Sequence, residues 1–311
     1  MSDELFFLPI ISEALRQADW RYLIIALGAL LAFLVTRSMR WQILLGSGIV
    51  LTEAFAVTNI GYLVSNVLPF RLGDPARAVA IALTGKVRVS TALSTVVVER
   101  VLDMLAVVLL LAITAPFVRQ TGWTREAGLL GGGAAVLSLA LLVVLALRPE
   151  VGRRAARWIL ARVPRADPER WVERVEGVLG GLAALRSLRS GIGLMVWSVV
   201  TWASSVGFYL AMLRAFIEAP TLVQASFLTC AIGLSVALPS SPGAFGVFQA
   251  VARFALQLPF GIAAETAIAV AFGSHAILYV AMCSLGLIGL AQQNISLGRL
   301  RSNVAAMVSK G

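Results

Sequence analysis

The chain has 311 residues, of which 59% are hydrophobic and only 14% are charged, and its formal net charge is +10. Soluble domains carry about 25% charged residues, so this composition excludes an ordinary soluble domain and is typical of an integral membrane protein. The two cysteines, Cys230 and Cys283, both lie in apolar runs. A disulfide framework or a zinc site is therefore not expected, and the sequence predicts no metal and no cofactor.

The positive charge is concentrated in one polar segment. Ten of the 26 basic residues lie between Arg148 and Arg189, and nothing around them resembles a nucleic-acid-binding module. The positive-inside rule and attraction to anionic headgroups explain such a segment. We therefore predict no nucleic-acid partner, a location in the inner (plasma) membrane of a bacterium, and a cytoplasmic position for segment 148–190 and for the C-terminus.

Apolar runs follow one another along the chain, and a run of about 20 residues suffices to cross the hydrocarbon core of a membrane. The runs are too continuous for the alternating strands of a membrane barrel, so each predicts a helix. The first crossing is expected to end at Arg37 and Arg40 on the cytoplasmic side. Full crossings are predicted at about 21–37, 89–116, 127–147, 191–214 and 264–291.

Two further apolar regions, 43–85 and 222–259, are each interrupted by the pattern Leu-Pro-x-x-x-Gly. The pattern begins at Leu68 in the first region and at Leu238 in the second. A Pro–Gly cluster inside an apolar run ends one helix and allows another to begin. Each region is therefore predicted to be a re-entrant or broken hairpin, the first open to the cytoplasm and the second to the outside.

The order span–hairpin–span thus occurs twice, with opposite sidedness. The sequence predicts an all-α polytopic membrane protein with about five full spans and two re-entrant or broken helical hairpins arranged as an inverted repeat. Residues 1–311 form a single transmembrane domain, in which repeat halves at about 20–116 and 191–291 are joined by a linking span and basic loop at 127–190. The alternative is a chance match of a short pattern in two kinked helices.

The two broken regions also predict a binding site, because irregular backbone at membrane depth occurs only in buried positions or along a wet cavity. Asp74-Pro75 and Ser241-Pro242 are typical helix starts, and free N–H groups at a helix start suit a phosphate. Arginine suits phosphate oxygens as well, although Arg71 and Arg77 are also explained as anchors that reach the headgroups. The residues predicted to bind a lipid phosphate are Asn66, Arg71, Gly73, Asp74, Arg77, Ser241 and Gly243.

A second polar group lies inside the 89–116 span, where each charge costs at least about 2.5–3.5 kcal/mol on insertion scales. Glu99, Arg100 and Asp103 share neighbouring faces of one helix, and this acidic excess requires a partner such as Arg71, Arg77 or Arg253. The cluster either gates the cavity or is a structural ion-pair network. Gln249, Arg253 and His275 complete the predicted intramembrane cluster, and a lone histidine is more often an interhelical hydrogen bonder than a metal or proton site.

Two stretches carry a resemblance to a known family. The first reads NVLPFRLGDPARA from Asn66, followed by VVVERVLDML, and the second reads LPSSPGAFGVFQA from Leu238. Together they resemble the transmembrane, flippase-like domain of lysylphosphatidylglycerol synthases. The resemblance implies a lipid-translocating domain with matching positions at Asn66, Pro69, Gly73, Asp74, Arg77, Glu99, Arg100, Asp103, Pro239, Gly243 and Gly246.

The resemblance has two departures. Gln249 stands where the family pattern leads us to expect an acidic residue, which argues against proton or cation coupling at that position. No segment resembles the soluble aminoacyl-transferase domain of the full-length synthases, so lysyl transfer by this chain alone is not expected and the chain is not predicted to be an enzyme.

Three hypotheses for the function follow. The leading one is a flippase- or scramblase-like membrane lipid translocase for an anionic or phosphate-bearing lipid. The sequence leaves open whether this lipid is an ordinary or aminoacylated phospholipid, a polyprenyl phosphate or a hopanoid-type lipid. The second is a non-transporting partner or regulator of a lipid-modifying or glycan-assembling enzyme. The third is an intramembrane enzyme that works through Glu99, Asp103 and His275. The expected partners are membrane lipids and, in the second hypothesis, that enzyme.

Overall fold

The computed structural model describes residues 18–68, 72–118, 187–235 and 241–300, with a few isolated positions elsewhere. Within these ranges every regular element is a helix, which confirms the predicted all-α fold. Of the linking span and basic loop predicted at 127–190, residues 187–190 are described and belong to the start of the next helix, and apart from isolated positions the rest lies outside the described residues.

The first half of the chain forms four helices, and residues that suit helix ends mark several boundaries. The side chain of Asp19 accepts a hydrogen bond from the backbone N–H of Arg21 at the start of the first helix. Gly46, with a φ of 97°, ends that helix in a conformation that favours glycine. The helices are α1 (Trp20–Leu45), α2 (Leu51–Val67), α3 (Gly73–Ala82) and α4 (Val89–Thr114).

The second half repeats this order of long, short, short and long helices. Thr221 and Gln224 form a reciprocal pair of hydrogen bonds at the start of its second helix, which is a capping box. A short 3₁₀ turn, Pro242–Ala244, precedes the third helix. The helices are α5 (Leu188–Phe216), α6 (Leu222–Ser235), α7 (Val247–Phe260) and α8 (Ala264–Gln292).

Three helices in the described part of the chain, α1, α5 and α8, are long and apolar enough to cross a membrane. Helix α4 has 26 residues, a length of about 39 Å at the ordinary helical rise, but it carries Glu99, Arg100 and Asp103. The composition and these helices agree with a polytopic membrane protein. The count of five crossings stays a prediction.

Each Leu-Pro-x-x-x-Gly pattern coincides with the passage from one described helix to the next, as predicted, although residues 69–71 and 236–240 lie outside the described residues. Helix α2 ends at Val67 and α3 begins at Gly73, whereas α6 ends at Ser235 and the next helical turn starts at Pro242. The equal order of helices in the two halves agrees with a repeat. Inversion of the halves and re-entry of the hairpins stay predictions, since helix order does not give sidedness.

The core consists of two apolar clusters, and α1, α5 and α8 contribute buried residues to both. One contains the C-terminal part of α1 with α2, α3 and α4, and the other contains the N-terminal part of α1 with α5, α6 and α7. Helix α1 packs most extensively on α5, and α2 packs on α8. The two halves of the chain therefore form one packed body.

Two glycines of α8, Gly286 and Gly289, permit the close approach of α2 and α8. A Cβ atom at Gly286 would lie 2.5 Å from the Cβ of Leu63, and one at Gly289 would lie 2.6 Å from the carbonyl oxygen of Ala56. These distances are too short for a side chain, so glycine at both positions lets the helix backbones touch.

Candidate functional site

Two buried arginines of α1, Arg37 and Arg40, belong to the candidate site. The prediction that the first span ends at Arg37 and Arg40 is wrong, because α1 continues to Leu45 and both arginines are buried within it. Arg37 pairs with Asp103, and Trp41, one turn later, donates to the hydroxyl of Thr95 at 3.0 Å. These contacts show that α1 and α4 lie antiparallel, with the two arginines beside the acidic face of α4.

Glu99 and Asp103 each form ion pairs with both α1 arginines. The oxygens of Glu99 lie 2.7 Å from a terminal nitrogen of Arg37 and 3.1 Å from one of Arg40. Those of Asp103 lie 3.0 Å from Arg37 and 2.6 Å from Arg40. The partners proposed from the sequence for these carboxylates were Arg71, Arg77 and Arg253, so the two α1 arginines are an addition that the structure supplies.

Arg77 of α3 is the third cation on this carboxylate pair. Its guanidinium lies 2.5 Å from the second oxygen of Glu99 and stacks on the ring of Trp41 at 4.3 Å. Arg77 is almost fully buried. It therefore ties α3, the second helix of the first broken region, to α1 and α4.

Asp74 and Arg100 form the one pair of the site that is partly open. Two nitrogens of Arg100 donate to the two oxygens of Asp74 at 2.7 and 2.8 Å, and the side chains are 41% and 34% exposed. The prediction that Asp74 caps the helix is wrong, since α3 begins at Gly73 after Leu72 and Asp74 lies in its first turn. A carboxylate at that end already balances the positive end of the helix dipole.

These seven side chains form one connected network, which we call the charged band. Removing charges from water inside a membrane is costly, and pairing with good hydrogen-bond geometry is what makes it tolerable. The band connects α1, α3 and α4 and therefore holds the first broken region against two long helices. The pair of Asp74 and Arg100 joins the rest through a contact of 3.7 Å between Arg100 and Asp103. The members of the band are Arg37, Arg40, Asp74, Arg77, Glu99, Arg100 and Asp103.

A cavity of about 370 Å³ adjoins the charged band. Its walls come from both halves of the chain, because Gly73 and Asp74 follow the first break and Ser241 and Gly243 follow the second. The 3₁₀ turn of the second break also contacts α2. The two interrupted regions thus meet at one cavity, as the sequence predicted, and the binding of a lipid phosphate there stays a prediction.

The cavity has a charged part and an apolar part. Along α4 it is lined first by Arg100 and Asp103 and then by Met104 and Val107. Along the antiparallel α1 it is lined by Arg37 and then by Phe33 on the same side. The apolar part continues to the side chains Trp202, Phe208, Ile232 and Met282. Such a cavity is chemically suited to an amphipathic ligand that has one charged end and one apolar end.

Glycine is required at three positions of the breaks for different structural reasons. A Cβ atom at Gly73 would overlap the carbonyl oxygen of Gly61 and the hydroxyl of Ser65, so Gly73 allows α3 to contact α2. Gly243 and Gly246 have φ values of 64° and 84°, which favour glycine. Gly73 is therefore required for packing, and the other two are required for backbone conformation.

His275 is held by hydrogen bonds from the second break. Its Nε2 lies 2.8 Å from the carbonyl oxygen of Gly243, and its Nδ1 lies 2.7 Å from the amide nitrogen of Gln249. The amide oxygen of Gln249 accepts from the N–H of Gly246, so its amide nitrogen faces the histidine. Nδ1 then accepts and Nε2 donates, which is the neutral imidazole. His275 is thus an interhelical hydrogen bonder, stacked on Phe248.

The second predicted helix start is also corrected by the structure. Ser241 precedes only the three-residue turn Pro242–Ala244, and its hydroxyl donates to the carbonyl oxygen of Phe245. Helix α7 begins later, at Val247. Ser241 and Pro242 therefore begin a short 3₁₀ turn and not the predicted α-helix, and Ser241 lines the cavity.

Most of the predicted site residues lie at the cavity. Glu99 and Gln249 stand behind it and hold residues that line it, whereas Arg253 pairs with Gln257 on α7 and is not among the lining residues. Arg71 lies outside the described residues. The predicted residues that line the cavity are Asn66, Gly73, Asp74, Arg77, Arg100, Asp103, Ser241, Gly243 and His275.

Sequence reasoning missed Arg37 and Arg40 as site residues, although a signal for them was present. The apolar run continues through Trp41-Gln42-Ile43-Leu44-Leu45 after Arg40, so the two arginines are not at its end. Tyr62 and Trp202, which also line the cavity, have no distinguishing pattern in the sequence.

The comparison with known proteins agrees with this arrangement. The family model described as Lysylphosphatidylglycerol synthase TM region matches residues 8–286, which include both breaks and the charged band. A UPF0104 membrane protein of Methanothermobacter thermautotrophicus is 25% identical over 294 residues, covering 89% of this chain and 85% of that protein. A second UPF0104 membrane protein of that organism is 24% identical over 281 residues, covering 86% and 79%.

A third relative is a longer protein. Glycosyltransferase AglD of Haloferax volcanii is 24% identical over 279 residues, which cover 79% of this chain but 44% of that protein. No solved structure matches the chain.

Proposed function

Because the chain belongs to the family of the lysylphosphatidylglycerol synthase transmembrane region, we propose that it is a membrane lipid translocase of the flippase or scramblase type. Its substrate is an anionic or phosphate-bearing lipid, whose headgroup enters the cavity at the charged band. The single observation that supports the proposal is the cavity between the two breaks, which has charged side chains such as Arg37 and Arg100 in one part and apolar side chains such as Met104 in another.

The arrangement of the cavity supports a lipid more than a small soluble anion. A soluble anion needs only the charged part, whereas the apolar walls formed by Met104, Val107 and Trp202 suit acyl or prenyl chains. Arginine binds phosphate oxygens through a planar fork of donors, and Arg100 is the most exposed of the cavity's cations. The lipid phosphate is therefore proposed to contact Arg100, with its chains along α4.

The proposal includes a position in the cell. We place the protein in the inner membrane of a bacterium, with segment 148–190 and the C-terminus in the cytoplasm, on the strength of the basic residues of that segment. Arg37 and Arg40 no longer contribute to this assignment, because they are buried ion-pair partners.

Replacing Arg100 by glutamine is expected to slow translocation of an anionic lipid by about tenfold or more, the effect of losing about 1.4 kcal/mol of interaction. The measurement uses the full chain in liposomes that contain phosphatidylglycerol with a fluorescent acyl chain. Dithionite then quenches the dye in the outer leaflet, and further quenching reports lipid that crosses. Arg253→Gln is the matched control, since Arg253 is outside the cavity wall, and it should translocate like the wild type.

Wild-type liposomes that quench no further than protein-free liposomes would contradict the translocase proposal. Equal slowing by the Arg100 and Arg253 variants would contradict the proposed place of the headgroup.

A second candidate function is supported by the similarity to glycosyltransferase AglD of Haloferax volcanii. In that case the chain is a non-transporting partner or regulator of an enzyme that assembles glycans or modifies lipids. The liposome measurement separates the candidates, because a partner protein moves no lipid and tolerates Arg100→Gln. Purified chain that copurifies with such an enzyme but leaves the dye protected would favour this second function.

A further inference from the structure

We infer that the cavity has a second, uncharged binding region, in which three tyrosine hydroxyls bind a hydroxyl-bearing group attached to the lipid phosphate. The tyrosines are Tyr62, Tyr209 and Tyr279, and each of them lines the cavity. The inference rests on the proposed function, because it takes the ligand to be a phosphate-bearing lipid, and it specifies the chemical class of the headgroup.

The three tyrosines come from three helices of the cavity wall. Tyr62 belongs to α2 and lies beside the charged band, since the guanidinium of Arg37 is 5.9 Å from the centre of its ring. Tyr279 belongs to α8 and lies beside the second break, where a Cβ atom at Gly243 would lie 3.0 Å from its ring. Tyr209 belongs to α5 and is only 5% exposed. The cavity therefore has phenol groups on walls from both halves of the chain.

The three hydroxyls have no hydrogen-bond partner in the described part of the chain, yet protein does not enclose them. The enclosed side-chain atoms without a partner in that part are different ones, such as the indole nitrogen of Trp202. Buried polar groups are hydrogen-bonded in the great majority of cases. A phenol as buried as that of Tyr209 therefore indicates that the contents of the cavity supply its partner.

Two other hydroxyls of the cavity wall are already satisfied by the protein. The hydroxyl of Thr229 donates to the carbonyl oxygen of Ala225 in its own helix, and that of Ser241 donates to Phe245. A serine or threonine hydroxyl reaches the carbonyl groups of its own turn. The ring of a tyrosine carries the hydroxyl beyond those groups, so the tyrosine hydroxyls stay available to a ligand.

The chemistry of the phenol group specifies the partner. A tyrosine hydroxyl both donates and accepts a hydrogen bond, so it matches a ligand hydroxyl, which does the same. An ionised phosphate only accepts and suits the arginines of the charged band, whereas acyl and prenyl chains do neither. A polyol attached to the phosphate supplies several hydroxyls together, either as an open glycerol chain or as a sugar-like ring.

The test compares three lipids that have the same short acyl chains and the same single negative charge. Phosphatidylmethanol carries no headgroup hydroxyl, phosphatidylglycerol carries an open polyol chain, and phosphatidylinositol carries a polyol ring. Affinity for the purified full chain in detergent is measured from the rise of the unfolding midpoint with lipid concentration. We expect at least one polyol lipid to bind about tenfold more tightly than phosphatidylmethanol, the effect of one or two ordinary hydrogen bonds. The tighter of the two identifies the open chain or the ring as the source of the hydroxyls.

Three variants, Tyr62→Phe, Tyr209→Phe and Tyr279→Phe, remove one hydroxyl each and keep the ring. None should lower the unfolding midpoint without lipid, because the lost hydroxyl has no partner in the described part of the protein. Each is expected to reduce the preference for the polyol lipid by about threefold, the effect of losing one hydrogen bond. Tyr22→Phe in α1 is the matched control, since Tyr22 is not among the lining residues, and it should keep the preference. Wild-type preference in all three cavity variants would overturn the inference.

Equal affinity of the wild type for the three lipids would also overturn it, because the tyrosines would then bind water or the ester groups that all three lipids share. This failure differs from the failure of the proposed function. Equal affinities with dye movement intact in the liposomes would leave the translocase in place. A polyol preference without any dye movement would remove translocation and keep the polyol site.

Discussion

Replacing Glu99 by glutamine is expected to lower the free energy of unfolding by about 3–5 kcal/mol, the effect of removing one partner from a buried ion pair. Glu99 is fully buried and lies within 3.1 Å of Arg37, Arg40 and Arg77. An amide brings no negative charge to these arginines, which would then share Asp103 and the more distant Asp74. Helices α1, α3 and α4 would lose the contact that holds them together.

The measurement is the unfolding midpoint of the purified protein in detergent, followed by size-exclusion chromatography after heating. Glu53→Gln is the matched control, because Glu53 also pairs with a cation, Lys86, but at an exposed position. Exposed pairs contribute about 0–1 kcal/mol, so that control should unfold close to the wild type. Equal midpoints for the Glu99 variant and the wild type would mean that the charged band does not stabilise the fold.

Replacing Gly286 by alanine is expected to destabilise the protein by about 1–3 kcal/mol, the usual effect of overpacking a well-packed interface. The added methyl group would lie 2.5 Å from the Cβ of Leu63 and 2.6 Å from the carbonyl oxygen of Asn59. One of these neighbours is backbone and neither is the end of a flexible side chain. Helices α2 and α8 must therefore move apart, and α2 also carries Tyr62 and Asn66 at the cavity wall.

Gly28→Ala in α1 is the matched control, since no atom lies within 4 Å of a Cβ at that position. Alanine there is expected to leave stability unchanged or to raise it by about 0.5–1 kcal/mol, because glycine is unfavourable inside a helix. The same unfolding midpoints report both variants. A Gly286 variant as stable as the Gly28 variant would contradict the close packing of α2 and α8.

Composition alone determined the class of protein, and local pattern determined where the two breaks lie. Long apolar runs predicted helices near the observed α1, α4, α5 and α8 because a helix satisfies its own backbone groups in a membrane. The two Leu-Pro-x-x-x-Gly patterns predicted breaks because proline and glycine act on the backbone over a few residues. These effects are local, so a single sequence suffices to predict them.

The partners of the charged residues were decided by tertiary structure. Glu99 and Arg100 are adjacent in the chain, yet Glu99 faces Arg37, Arg40 and Arg77 while Arg100 turns to Asp74. Which arginine meets which carboxylate depends on the antiparallel contact of α1 with α4. The paired residues of these two helices are about 60 positions apart in the sequence. The predicted acidic excess consequently became a basic one.

The sequence by itself predicted that polar residues near the two breaks and in α4 would lie close together, because buried charges in an apolar environment need one another as partners. Only the tertiary structure decided the role of each. Asp74 is an ion-pair partner of Arg100, and Gly73 provides contact between α2 and α3. His275 is neutral because the helix that carries Gln249 meets α8 at that height. Such roles depend on distances between helices, which a linear pattern does not contain.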